Sequence, residues 1–155
     1  MYLKAPDFIE IKNPIFLAGP IQGTIFNWQD DAAYYISTKN NNIGVISPRR
    51  NMIGNDSFNY YEQVNWETKY LNLAAKEGVI LFWLKAEEEH DSSRAYAQTT
   101  RFELAEWYTK APDKIVVGIE SGFSGERYIR KRLNIPIYDS LKETCDRAIE
   151  KIISK

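Results

Sequence analysis

Short apolar runs alternate along the chain with longer segments of helical spacing. The run PIFLAG (14–19) reads as a buried strand, and WQDDAAYYISTK (28–39) follows with Trp28, Ala32, Tyr35 and Ile36 one helical turn apart. IGVIS (43–47) is a second strand stopped by Pro48. From about Tyr60 to Lys76, Val64, Leu71 and Ala74/Ala75 mark a second helix, and VILFWL (79–84) is the most apolar strand of all. A third helix is expected over about 100–110, a strand over KIVVGI (114–119), a short helix over 125–133 and a short strand over IPIYD (135–139). Ser140 then caps a last helix with Leu141, Cys145, Ala148, Ile149 and Ile152 on one face.

Strand and helix thus alternate five times. That pattern implies an α/β fold, a doubly wound five-stranded parallel sheet covered by helices on both faces. Its common order is 2-1-3-4-5, and its ligand crevice lies beyond the carboxyl ends of the strands. Four loops are therefore expected to converge: GPIQGT after the first strand, SPRR after the second, residues 85–101 after the third and ESGFSG after the fourth. No repeat or Gly/Pro/Ser-rich linker divides the chain, so residues 1–155 are expected to form one domain.

Composition narrows the picture. Hydrophobic residues make up 44% of the chain, which argues against disorder, and a net charge of −1 argues against bulk nucleic-acid or membrane binding. The single cysteine, Cys145, fits a reducing cytosol. The first residues include acids and lack the apolar run of a secretory leader, and no segment is long and apolar enough to span a bilayer. His90 sits among acids in EEEHD without metal-ligand spacing, so neither a metal nor a cofactor is expected.

The candidate chemistry gathers at the predicted crevice. In AGPIQGT (18–24) two glycines and Gln22 occupy a strand-to-helix turn, where glycine lets backbone approach a ligand closely. Asn27 reads as a helix cap, Trp28 as a core anchor and Gln29 as a crevice residue. Arg49 and Arg50 stand at the mouth, where a guanidinium forks onto a phosphate or carboxylate, or is simply solvated. In TTRFELAEW (99–107), Thr100 and Glu103 have the spacing of a capping box, yet the helix they start follows the longest crevice loop.

In that order, IFLAGPIQG, NWQ, SPRR, QVNWE, VILFW and TTRFELAEW resemble the nucleoside 2-deoxyribosyltransferase-like family, over roughly residues 14–125. The resemblance implies the same doubly wound sheet. It implies Glu103 as nucleophile, with Gly19 and Pro20 bordering the sugar and base and Arg49 and Arg50 beside them. Gln22, Trp28, Gln29, Trp66, Glu67, Arg101 and Phe102 are also expected around the substrate, with Trp28, Trp66 and Phe102 as the aromatics for a base subsite. The helix N-terminus is expected to keep Glu103 ionised. The implied partners are a small nucleoside or nucleotide and a free nucleobase, with a homo-oligomer in which a neighbouring subunit closes each site.

The implied reaction is 2-deoxyribosyl transfer through a glycosyl–Glu intermediate. Hydrolysis of a nucleoside 5′-monophosphate is the alternative, kept open by the arginines and by SGFSG, and a nucleotide-binding sensor with weak turnover is another. The acidic pair that better-known deoxyribosyltransferases carry ahead of the nucleophile is replaced here by Ala97 and Gln98. The nearest acids upstream are Asp91 and residues 87–89, and the acid expected on the helix before the third strand falls at Glu67 or Thr68.

Overall fold

The computed structural model describes residues 1–50 and 58–154. In chain order its elements are β1 (Tyr2–Lys4), β2 (Pro14–Ala18), α1 (Trp28–Lys39), β3 (Gly44–Ser47), α2 (Tyr60–Glu77), β4 (Val79–Leu84), α3 (Gln98–Lys110), a 3-10 turn (Pro112–Lys114), β5 (Ile115–Ile119), α4 (Glu126–Arg132), β6 (Ile137–Tyr138) and α5 (Leu141–Ile153). The strands form one parallel sheet in the order β1-β3-β2-β4-β5-β6. The expected 2-1-3-4-5 order is present in β3-β2-β4-β5-β6, and the sixth strand is β1, which extends the edge beside β3 with Tyr2 opposite Val45. Three residues are too few to display a period, so β1 carries no pattern a sequence reading detects.

Side chains alternate between the faces of each strand, and two cores result. Ile15, Leu17, Val45, Leu81 and Trp83 pack under α1 and α5. Phe16, Ile46, Phe82, Val117 and Ile119 pack under α2 and α3, with Ile129 of α4 at the margin. The caps explain where several helices start. Asn27 Oδ1 accepts from Asp30 N at 3.1 Å, Asn59 Oδ1 from Tyr61 N at 3.0 Å, and Ser140 Oγ from Glu143 N at 3.2 Å.

The apolar face of α2 differs from expectation. Gln63, Trp66, Tyr70, Leu71 and Ala74 are buried, while Val64 is exposed. Trp66 is 1% exposed, donates its indole N–H to Asp7 O at 2.7 Å and packs against Tyr70 at a ring distance of 4.6 Å. The placement of Trp66 in the base subsite is therefore corrected: its ring lies in the core. Among the described residues no helix is long and apolar enough to cross a membrane.

Candidate functional site

A cleft of about 730 Å³ opens at the carboxyl ends of β2, β3 and β4, bounded by the first turns of α2 and α3. The turn after β2 lies at one side. A Cβ on Gly19 would lie 2.4 Å from Trp83 O and 2.6 Å from Trp28 Cζ2, so only glycine fits there. Trp28 is buried beneath this turn and pins it by donating Nε1–H to Pro20 O at 2.9 Å. It shapes the cleft without lining it, whereas Gly19, Pro20 and Gln22 do line it. Gln22 is held by the Arg94 guanidinium.

Arg49 and Arg50 leave the end of β3 into the same cleft. Arg49 donates to Gln29 Oε1 at 3.2 Å and Thr24 Oγ1 at 3.4 Å. Gln29 is fully buried, so it anchors the arginine from behind and does not face the crevice. Arg50 donates Nε–H to Gln63 Oε1 at 2.7 Å. Gln63 spends both amide hydrogens as well, on Pro48 O at 3.0 Å and on Glu67 Oε1 at 2.7 Å. One buried glutamine thus fixes an arginine, a loop and a carboxyl group together.

Glu67 and Glu103 both line the cleft. Of the two positions open for the helix acid, Glu67 reaches it, whereas the Thr68 hydroxyl turns back to Val64 O. Burial pushes the Glu67 carboxyl up, opposed by the Gln63 hydrogen bond and the Arg50 charge. Glu103 is pushed up to about 8, first by burial and then by the negative charges of Glu67 and Glu106. The expected capping box is absent. Helix α3 begins at Gln98, after Ala97 in the left-handed region at φ 54°, with no side-chain cap. Thr100 is already inside the helix, and Glu103 lies beyond the first turn, where free N–H groups stabilise a carboxylate. The expectation that the helix end keeps Glu103 ionised is accordingly reversed: burial dominates.

Two other expected residues point elsewhere. Arg101 donates Nη2–H to the carbonyl and hydroxyl of Ser124, both at 2.6 Å, and lies over the Phe123 ring. Phe102 is 73% exposed and outside the cleft. The ESGFSG loop is absent from the cleft for the same reason. Glu120 accepts from Lys85 Nζ at 3.0 Å and Ala86 N at 2.8 Å, Phe123 is buried, and Ser124 is occupied by Arg101.

The long loop after β4 does fold back. Gly23 O accepts from Glu88 N at 2.8 Å, and Glu88 Oε2 accepts from Ile25 N at 2.7 Å. Three of its acids are engaged within this fold-back, Glu88 with Lys85, Glu87 with His90, and Asp91 with Ser93 and Arg94, while Glu89 is exposed. None of them lines the cleft, whose carboxyl groups among the described residues are Glu67 and Glu103. Among the described residues no group of three His, Cys, Asp or Glu side chains is placed to hold a metal. The sequence reading passed over Phe58, Tyr60 and Arg94, which line the cleft. Phe58 and Tyr60 are exposed aromatics on a polar approach to a helix, a signal visible only once the helix start is placed.

A search among curated proteins finds no match to this chain. The sequence model of the nucleoside 2-deoxyribosyltransferase-like family matches residues 12–123, which span β2 through the loop after β5 and hold both carboxyl groups, both arginines and the glycine turn. With that match over most of its length, the chain belongs to the nucleoside 2-deoxyribosyltransferase-like family.

Proposed function

We propose that this protein cleaves the N-glycosidic bond of a 2′-deoxynucleoside and transfers the sugar to another nucleobase, with Glu103 as nucleophile and Glu67 as the acid. The observation that carries the reading is the pair of carboxyl groups lining one cleft, with the Glu67 charge helping to raise Glu103. Such a pair favours a state with one proton between them; burial holds it on Glu103 in the free protein, so it passes to Glu67 on substrate binding before Glu103 attacks. Because Gln63 donates to Glu67 Oε1, a proton on Glu67 resides on Oε2.

In the first step a Glu103 oxygen bonds to C1′ and the C1′–N bond breaks. The bonding pair leaves with the base nitrogen, which takes the proton from Glu67 Oε2. In the second step a nitrogen of the incoming base bonds to C1′, Glu103 departs as carboxylate, and the proton displaced from that base returns to Glu67. A 2′-hydroxyl withdraws electrons from the cationic centre, so ribonucleosides should react far more slowly. Phe58 and Tyr60 offer aromatic faces on which a base stacks.

Hydrolysis, with water in place of the second base, is the second reading. The observation favouring it is that Trp28, Trp66 and Phe102, expected around the base, lie outside the cleft. Incubation of a purine deoxynucleoside with a different free base separates the two. Transfer yields a new deoxynucleoside faster than free deoxyribose. Free sugar at the same rate with and without acceptor replaces transfer by hydrolysis.

A further inference from the structure

Two arginines of the cleft are held by neutral partners. Arg49 and Arg50 are half-buried, and among the described residues neither has a carboxylate within ion-pair distance. Their side-chain partners are neutral: Gln29 and Thr24 for Arg49, Gln63 for Arg50. Arg50 Nη2 is buried with no hydrogen-bond partner among the described residues. An unpaired N–H on a half-buried cation is unfavourable unless something completes it. The third arginine of the cleft, Arg94, is paired with Asp91 at 3.0 Å. The two acids of the cleft, Glu67 and Glu103, are both pushed toward their neutral forms. The two guanidinium groups line a space that suits a nucleotide-sized ligand.

We propose that Arg49 and Arg50 form an anion subsite that holds the 5′-phosphate of the substrate, making this protein selective for nucleoside 5′-monophosphates over nucleosides. The proposal rests on the reading of the cleft as a nucleoside site and adds its substrate class. Arg49 is braced from behind by a buried glutamine, and Arg50 by a glutamine that also holds Glu67, so the forks are oriented before a ligand arrives. A phosphate monoester offers enough acceptor oxygens for both guanidinium groups. Gln63 couples the phosphate grip to the acid, because the same amide accepts from Arg50 and donates to Glu67.

The test is calorimetric titration of the intact protein with 2-deoxyribose 5-phosphate, 2-deoxyribose and inorganic phosphate, repeated for Arg49→Gln, Arg50→Gln and, as a control at the opposite end of the sheet, Arg147→Gln. Thermal melts check that each variant is folded, and Arg49→Lys and Arg50→Lys provide variants that keep the charge. The sugar phosphate should bind about tenfold or more tightly than the sugar. Either cleft substitution to Gln should remove about that advantage, Lys should restore part of it, and Arg147→Gln should leave it unchanged. Equal affinity for sugar and sugar phosphate, or indifference to both cleft arginines, overturns the proposal. Inorganic phosphate binding as tightly as the sugar phosphate also overturns it, in favour of a free-phosphate site. Base release from a deoxynucleoside and its 5′-monophosphate is followed alongside. Arginine-dependent phosphate binding without base release sinks the reaction and spares the subsite; equal base release from both compounds, unaffected by the substitutions, sinks the subsite and spares the reaction.

Discussion

Two clefts of similar size lie at opposite ends of the sheet, about 730 Å³ at the carboxyl ends of the strands and about 680 Å³ at the amino ends. Both contain charged groups, but the groups are used differently. At the amino end, Lys151 donates to the carbonyl oxygens of Asp113 and Ile115 at 2.9 and 3.0 Å, and Arg147 pairs with Glu150 at 2.7 Å. The Lys151 contacts fasten α5 to the 3-10 turn and to the start of β5, and the Arg147–Glu150 pair lies within α5. At the carboxyl end, two arginines meet neutral partners and two carboxyl groups are pushed up by burial. Volume does not separate the two clefts; unfinished electrostatics does. Charges that satisfy one another stabilise a fold, whereas charges held apart are available to a substrate.

The strongest way to break this contrast is Glu103→Ala, which should lower turnover roughly a thousandfold or more while the protein stays folded. Steady-state base release checks it, and a near-normal rate would return Glu103 to an ordinary helix position. Glu67→Gln should be next, with a loss of about a hundredfold for bases that need protonation to leave. The loss should shrink for a substrate whose leaving group is stable as an anion, and an equal loss for both leaving groups would remove the acid role.

The third prediction concerns stability against pH. The folded protein raises the Glu103 carboxyl above its unfolded value, so folding favours the protonated form. Stability is therefore unaffected by this group at pH values below the unfolded carboxyl range. It declines as pH rises from there toward about 8, the folded value, where the penalty becomes nearly complete. Glu103→Gln lacks this penalty and should gain on the order of 2 kcal/mol relative to the parent at pH 8.5, discounted for partial solvent access, with almost none of that gain at pH 4.5. Denaturant melts at the two pH values measure it, and a gain of the same size at both would contradict the pKa. The smallest effect belongs to the other cleft. Arg147→Ala should leave stability nearly unchanged and base release untouched. A marked loss of rate there would abolish the distinction between the two ends.

Much of the fold was legible because local chemistry and tertiary packing agree. Asn27, Trp28 and Ser140 cap or anchor where their side chains suggest, and VILFWL is a fully buried central strand. The same agreement makes the glycine turn and the two arginines readable as cleft residues. The departures have specific causes. Strand β1 has no pattern of its own and is defined by its partner β3. Thr100 and Glu103 mimic a capping box, but the left-handed Ala97 starts α3 earlier and carries Glu103 away from the helix end. On α2 the core face is centred on Trp66 and Tyr70, which sends Glu67 and Gln63 into the site and Trp66 into the core. Arg101 is drawn from the cleft by Ser124, a contact between α3 and a loop distant in sequence. Helical periodicity finds a face; it does not say which edge of that face meets a cleft.

The central claim is that Glu103 bonds to the sugar. The most direct measurement is peptide mass spectrometry of protein denatured in acid during turnover of a deoxynucleoside 5′-monophosphate. The account predicts a deoxyribosyl phosphate adduct on the peptide containing Glu103, absent in Glu103→Gln and consumed when an acceptor base is added before quenching. Continued base release by Glu103→Gln at the parent rate, with that peptide unmodified in the parent protein, would contradict it.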